Sequence, residues 1–231
     1  MRLTINYEMS GDKLPRDYLR GFISLIKASF ELANKNLFNT FYNQHKLKPF
    51  TFGVYFPELY GDEGNLLKVG TKVKLNFSSN NHELITYIYN SFHNIDEYRL
   101  FDNVLKLKNV TLHPPYKIYG TEKIFKTLSP FLVNNKGDSN KFLWPEEEGF
   151  YEGLIFSIKE CAKEFLNITE VTNVEFEPIQ MRKLPIYHYQ KMPTNKGLFK
   201  LKADEEILQM VYDVGIGVHR SQGFGMLEVV K

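Results

Sequence analysis

Four glycines fall within the eleven residues GIGVHRSQGFG, Gly215 to Gly225, close to the C-terminal end of the sequence. Glycine has no Cβ, so backbone of this kind can take φ > 0 and approach a ligand closely. His219 and Arg220 inside the same segment add groups that can bind an anion. Phosphate is the anion for which such loops are best known, but two familiar phosphate sites do not fit. The dinucleotide fingerprint runs from a strand through glycines into a helix whose N-terminus holds the phosphate, whereas here a helical pattern precedes the glycines and a strand pattern follows them. A P-loop needs a lysine followed by Ser or Thr after GxxxxG, and none is present. From these residues alone two readings stand: a tight surface turn without a ligand, or a loop lying against a sugar-phosphate backbone.

A second group lies just upstream. Between Met181 and Ala203 there are six basic residues, Arg182, Lys183, Lys191, Lys196, Lys200 and Lys202, and no acidic one, with Tyr187, His188, Tyr189 and Phe199 interleaved. Cations that neutralise phosphates and rings that stack on bases are the two ingredients of an RNA groove; a solvated strand pair is the plain alternative. The place of this stretch before the glycine segment favours the groove, with Lys106, Lys108 and Lys117 as candidates to extend it and His188 as a candidate to stack on a base. Ordinary structural or surface roles are expected for His82, His93 and His113. Glu146, Glu147, Glu148, Glu152, Glu160 and Glu164 crowd a separate region, so one basic and one acidic face are expected. The net charge of +2 is too mild to identify a polyanionic partner by itself.

These groups need a scaffold. A chain of 231 residues exceeds a single domain of roughly 100 to 150 residues, which predicts two domains, 1–116 and 117–231, joined near Pro114 to Gly120. The 43% hydrophobic and 15% aromatic content supplies a core for each. Cys161 is the single cysteine, which excludes an intramolecular disulfide, and no Cys/His cluster has zinc spacing, so a reducing cytoplasm is expected. The N-terminus lacks the apolar core of a signal peptide, and no run approaches the roughly 20 apolar residues that span a bilayer. A membrane partner is therefore not expected.

Along the chain, period-two alternation predicts a strand over residues 2–8, and apolar residues at three- and four-residue spacing predict one helix from Tyr18 to about Tyr42. Strands follow at Phe50–Phe56 and Lys72–Phe77, a helix at His82–Phe92 and a strand at Val104–Leu112. The second half repeats the rhythm: a strand at Pro130–Val133, a helix at Glu146–Leu166, strands at Val171–Ile179 and Pro185–Tyr189, and an extended run at Gly197–Lys202. A helix at Ala203–Val214 and a closing strand at Met226–Val230 complete it. The fold class is α+β, two tandem ferredoxin-like (RRM-like) domains, each an antiparallel sheet with helices on one face.

The segment GLFKLKADEEILQMVYDVGIGVHRSQGFGMLEVV, Gly197 to Val230, resembles the C-terminal signature of the CRISPR-associated endoribonucleases of the RAMP superfamily that cut precursor CRISPR RNA within its repeats. LSPFLV, Leu128 to Val133, and PFTFGVYF, Pro49 to Phe56, are similar to that family's entry into its second domain and its second strand. The resemblance spans essentially the whole chain, with its specificity concentrated in the last thirty-five residues.

It implies CRISPR repeat RNA as the partner, with effector-complex subunits and a second copy of the chain as further candidates. It also implies cleavage without metal or other cofactor, in which the RNA's 2′-hydroxyl attacks the adjacent phosphorus and leaves a 2′,3′-cyclic phosphate and a 5′-hydroxyl. The family's proton-transfer histidine sits between the first helix and second strand, and His45 in YNQHKLKPF matches it. If the helix reaches His45, Tyr42 lies on the same face, and the helix C-terminus favours a protonated imidazole. Lys46 or Lys48 is implied to hold a phosphate oxygen, Lys48 being preferred because Pro49 fixes the start of the strand.

The loop residues implied to touch RNA are Gly215, Gly217, His219, Arg220, Gly223 and Gly225, joined by Arg182, Lys183, Lys191 and Lys196. His219 stands where a lysine or arginine is more usual, so its charge depends on pH. On this reading Gly223→Val or Arg220→Ala weakens RNA binding more than it lowers the melting temperature. The rival is a non-catalytic RNA-binding subunit that keeps loop and basic face without using His45. A nucleotide-dependent enzyme on the same scaffold lacks both an acidic metal cluster and a phosphate motif.

Overall fold

In strand β1 (Arg2–Met9) the alternation takes Leu3, Ile5, Tyr7 and Met9 into the core, while Thr4, Asn6 and Glu8 face the other way. The structure is a computed structural model that describes residues 1–42 and 46–230, without the side chains of residues 37 and 139. After β1 come β2 (Lys13–Pro15), α1 (Leu19–Ala33), α2 (Lys35–Tyr42), β3 (Phe50–Tyr55), β4 (Gly61–Glu63), β5 (Leu66–Lys68), β6 (Lys72–Ser79), α3 (His82–His93), β7 (Glu97–Leu100) and β8 (Asn103–His113). The main sheet has the order β3-β6-β1-β8-β7, antiparallel throughout. Without β7, which forms a hairpin with β8 at the edge, this is the βαββαβ ferredoxin-like arrangement.

Helices α1 and α3 cover one face. Phe22, Leu25, Ile26 and Phe30 of α1, with Leu84, Ile85, Ile88 and Phe92 of α3, recur at helical spacing and are buried against β1, β3 and β6. Each such side chain contributes about 1.5–3 kcal/mol relative to leaving it in water. The single helix expected from Tyr18 to Tyr42 is two helices. At Asn34 the backbone is extended (φ −166°, ψ 113°), and its side-chain oxygen accepts a hydrogen bond from Asn36 N at 2.9 Å. An Asn side chain competes in this way with the helical ladder. The break lets α2 fold back so that Phe41 and Tyr42 reach Phe30, at ring separations of 5.6 and 5.8 Å. The small sheet β2-β5-β4 was not expected, since strands of three residues carry no readable period.

The second half contains β9 (Glu122–Thr127), β10 (Asn134–Asn135), β11 (Asp138–Phe142), α4 (Phe150–Leu166), β12 (Glu175–His188), β13 (Gln190–Lys202), α5 (Glu205–Val214), a 3₁₀ turn (Arg220–Gln222) and β14 (Leu227–Val229). Its sheet, β12-β13-β9-β14, repeats the strand permutation of the first. Helices α4 and α5 pack onto Phe125, Phe199, Leu201 and Leu227. The protein is thus α+β, two tandem ferredoxin-like units, each with its helices on one face.

Three boundaries differ from expectation. The unit opens with β9, and Pro130–Val133 forms only the isolated bridges Phe131↔Asn195 and Leu132↔Val218. The helix begins at Phe150, after a left-handed Gly149, rather than at Glu146. Val171–Ile179 and Pro185–Tyr189 belong largely to one strand, β12, whose prolines are tolerated because it lies at the sheet edge. It turns into β13 at Tyr189 (φ 59°), making a long hairpin.

The two units share core. Leu132, Met192 and Phe224 from the second half pack into the cluster of the first, and Thr51 Oγ1 donates to the Phe224 carbonyl at 2.8 Å. Among the described residues no helix is long and apolar enough to cross a membrane.

Candidate functional site

The glycine segment is folded onto its own chain. A Cβ at Gly217 (φ 75°) would stand 2.2 Å from the Leu132 carbonyl oxygen, and one at Gly225 (φ 77°) 2.1 Å from that of Ile216. The hydrogen bonds that require this closeness are Val218 N to Leu132 O and Ile216 N to Gly225 O, both 2.9 Å. Gly215, Gly223 and Gly225 are buried, and a Cβ at Gly223 would meet Leu19 of α1 at 2.8 Å and the Phe52 ring at 3.1 Å. The φ > 0 backbone expected of these glycines is present, and the close neighbour it admits in the structure is the protein itself: the glycines let the segment pack between the two units. Gly223→Val is therefore expected to damage the fold itself. Arg220, implied as an RNA contact, is 6% exposed. It turns inward, donating from Nη1 to Cys161 Sγ at 2.5 Å, with its guanidinium 5.5 Å from the Phe165 ring.

The middle of the segment forms a wall. Residues 217–222 line a cavity of about 380 Å³ together with Lys46, Leu47 and Lys48 before β3, Asn134, Asn135 and Lys136 at the β10–β11 turn, and Phe156, Ser157 and Glu160 of α4. Two stretches about 170 residues apart in the chain, singled out for different reasons, thus border one space. His45 lies outside the described residues. Lys48 Nζ stands 4.5 Å from the centroid of the Tyr42 ring, with Lys27 Nζ at 5.2 Å from the same ring. Burial lowers the Lys48 pKa, and the like charge of Lys27 lowers it further. Tyr42 stacks on Phe38 at 5.1 Å, and burial raises its hydroxyl pKa, so it is a neutral packing ring beside Lys48. Lys46 is exposed.

His219 borders the same cavity. It takes the left-handed conformation (φ 56°) and sets its ring edge-on to Phe142 at 5.7 Å. Its pKa is lowered, first by burial and then by His188. The pH-dependent charge expected here is accordingly biased toward the neutral imidazole. Phe156 and Lys136 were not singled out from the sequence, although one signal existed. The buried stripe of α4 runs through Gly153, Leu154, Ser157, Ile158, Cys161 and Ala162, and Phe156 lies off it.

The basic face is narrower than the residue count predicted. Lys200 pairs with Glu177 and Glu122, Lys202 with Glu175, and Lys183 with Glu146 while lying 3.9 Å from the Trp144 ring centroid. Lys106 and Lys108 pair with Glu97 and Glu8, and Lys117 lies 5.2 Å from the Tyr119 ring centroid. Of the six basic residues, Arg182, Lys191 and Lys196 have no ion pair among the described residues, and neither has Lys126 of β9. Arg182 faces Lys196 across the hairpin, and the Lys196 pKa is lowered by burial first and by Arg182 and Lys126 next. Lys191 and Lys196 border a cleft of about 540 Å³ between the units, with Tyr55, Leu128, Ile186 and Tyr187 on its walls. His188 is 2% exposed and unavailable for stacking on a base. Its Nε2 is 2.9 Å from Gln222 Oε1 and its Nδ1 is 3.5 Å from Asp17 Oδ1, which ties the hairpin turn to the glycine segment and the start of α1.

Residues 112–229, just over half of the chain, match the family model for CRISPR associated protein Cas6, C-terminal. The chain belongs to the Cas6 family. The match runs through β9 to β14, and so includes the glycine segment, Lys126, Arg182 and Lys196; Lys46 and Lys48 precede it. Over 241 aligned residues the chain is 24% identical to CRISPR-associated endoribonuclease Cas6 1 of Methanocaldococcus jannaschii, covering 99% of this chain and 93% of that protein. A solved structure of a Cas6-related gene product from Pyrococcus furiosus superposes with a TM-score of 0.88 at 20% identity, covering 100% of this chain and 98% of that one. Another, described as an RAMP protein binding different RNA substrates, gives 0.85 at 20% identity with 100% of both chains covered. The Cas6 fold is thereby shared along the full length. Among the described residues no group of three His, Cys, Asp or Glu is placed to hold a metal ion.

Proposed function

We propose that this Cas6-family chain is an endoribonuclease that cuts CRISPR repeat RNA without a metal ion. The 2′-oxygen of one nucleotide forms a bond to the adjacent phosphorus while the bond from phosphorus to the 5′-oxygen breaks, giving a 2′,3′-cyclic phosphate and a 5′-hydroxyl. A base takes the 2′-hydroxyl proton, an acid protonates the departing 5′-oxygen, and cations stabilise the charge on the phosphorane oxygens. The observation that carries this reading is the shared cavity: Lys46 and Lys48, which follow His45 in sequence, border the same space as residues 217–222.

His45 is the proton-transfer group. Lys48 holds a non-bridging phosphate oxygen; its ammonium is partly desolvated beside another lysine, so an entering phosphate supplies the counter-charge that the protein withholds. Tyr42 positions Lys48 through its ring and moves no proton. His219, biased toward its neutral form, serves as a hydrogen-bonding or proton-accepting group rather than as a cation. The glycines build the wall, and Arg182, Lys126 and Lys196 hold more distant phosphates by charge. The same reading divides the chain at 116/117, between β8 and β9, so that each unit contributes one side of the cavity.

The test is cleavage of repeat RNA in excess EDTA by wild type and His45→Ala. Wild type should cut and leave cyclic phosphate ends, and the variant should lose roughly 10²-fold or more in rate while binding RNA equally well. If wild type binds the RNA but cuts no matching repeat, the non-catalytic RNA-binding role replaces this one.

A further inference from the structure

The outer face of α4 carries an aromatic ring that the fold does not use. Phe156 is 45% exposed, although its helix buries a full stripe of other side chains. It borders the 380 Å³ cavity, as does Leu47, which is 42% exposed. Around these two apolar surfaces stand three lysines, Lys46, Lys48 and Lys136, with the inward-turned Arg220 as a fourth cation in the lining, against one acid, Glu160. Lys136 Nζ is 5.7 Å from the centroid of the Phe156 ring. Asn134 also lines the cavity, and its Oδ1 is buried without a hydrogen-bond partner, a state that native structures rarely leave unexplained.

An exposed ring, an aliphatic wall, an unanswered acceptor and an excess of positive charge suit a flat, hydrogen-bonding group attached to phosphates. The volume lies at the small end of ligand sites, roughly 300 to 1,000 Å³, and favours one planar group over a protein segment. We propose that this cavity receives a single unpaired nucleobase of the RNA, stacked on Phe156, with its neighbouring phosphates on Lys46, Lys48 and Lys136. An N–H on the edge of the base can answer Asn134 Oδ1 after a small side-chain adjustment. The proposal rests on the RNA reading above and adds to it: Phe156 selects which nucleotide is unstacked at the site, because a base held in a duplex has no free face to offer.

The experiment is equilibrium binding of repeat RNA to the full chain, with the RNA made uncleavable by one 2′-deoxy nucleotide at whichever bond wild type cuts, or left unmodified if it cuts none. Wild type, Phe156→Ala and Phe156→Trp are each measured against RNAs carrying one abasic position at a time. Phe156→Ala should weaken binding of intact RNA by about tenfold, in the range expected for one stacked base, and Phe156→Trp should restore it. One abasic position should cost wild type a similar factor and cost Phe156→Ala nothing further. Full affinity in Phe156→Ala, or an equal penalty at every abasic position, overturns the stacking site and leaves the cleavage reading standing. No RNA binding by wild type overturns both. Because the ring is half exposed, melting curves of the two variants should match wild type, which separates a binding defect from a folding one.

Discussion

At the scale of single residues, solvation decides what His219 and Arg220 do. The pair reads in sequence as positive charge offered to RNA, yet Arg220 turns inward to Cys161 and His219 is biased toward its neutral form by burial. Residue type announces a charge; only packing says whether water, an anion or a protein atom meets it. The lowered His219 pKa has a consequence for stability. The folded state takes up this proton less readily than the unfolded chain, so the contribution is present above the ordinary histidine range and is lost as pH falls below it. Wild type should therefore lose melting temperature between about pH 7.5 and about pH 5.5. His219→Gln, which keeps hydrogen-bonding capacity without titrating, should lose less over the same interval. Parallel losses in the two proteins would remove His219 as the cause.

At the scale of elements, alternation made β1 and β6 legible, and β-branched and aromatic content between Pro49 and Pro57 did the same for β3. The misread strands β9 and β12 share a cause: their boundaries depend on contacts distant in sequence, whereas the break between α1 and α2 is local to Asn34. β9 is a strand because β13 and β14 pair with both its edges, not because EKIFKT alternates cleanly. The prolines that divided β12 on paper lie along an edge where a missing N–H costs little. The glycine segment was legible as backbone needing φ > 0, but the sequence could not say whether the close neighbour was a ligand or the protein.

The structure names that neighbour, and a pair of substitutions measures it. Gly225→Ala combines a left-handed backbone with an oxygen 2.1 Å from the new Cβ, and should cost more than about 2 kcal/mol in urea unfolding, beyond the strain of the backbone alone. Gly64→Ala has positive φ and nothing within 4 Å, and should cost about 1 kcal/mol. Equal costs would mean that backbone conformation, not close packing, is what the segment's glycines supply.

At the scale of the whole molecule, two repeated strand orders were readable from the succession of elements, whereas the seam between them was not. Alternation along β1 sets Arg2 on the polar face, where a solvated arginine would be expected. Instead it is 8% exposed and spans the seam: Nη2 donates to the Tyr212 carbonyl at 2.7 Å, the guanidinium lies 3.6 Å from the centroid of the Tyr212 ring, and Nη1 is 3.3 Å from Glu228. Ser78 Oγ donates to the Asp213 carbonyl at 2.7 Å nearby, Thr51 Oγ1 donates to the Phe224 carbonyl, and His188 Nδ1 lies 3.5 Å from Asp17 Oδ1 across the halves. With Leu132, Met192 and Phe224 packed into the first core, the units should unfold together rather than in sequence. The cavity exists only while both units are folded and docked, since its walls come from both. Calorimetry of wild type should show one transition. Arg2→Ala leaves the Tyr212 carbonyl without its charged donor, a loss of about 2 kcal/mol, which corresponds to roughly 4–8 °C for a chain of this size. Two resolved transitions in wild type, or an unshifted one in Arg2→Ala, would show that the seam is a passive contact and that the halves hold their positions by other means.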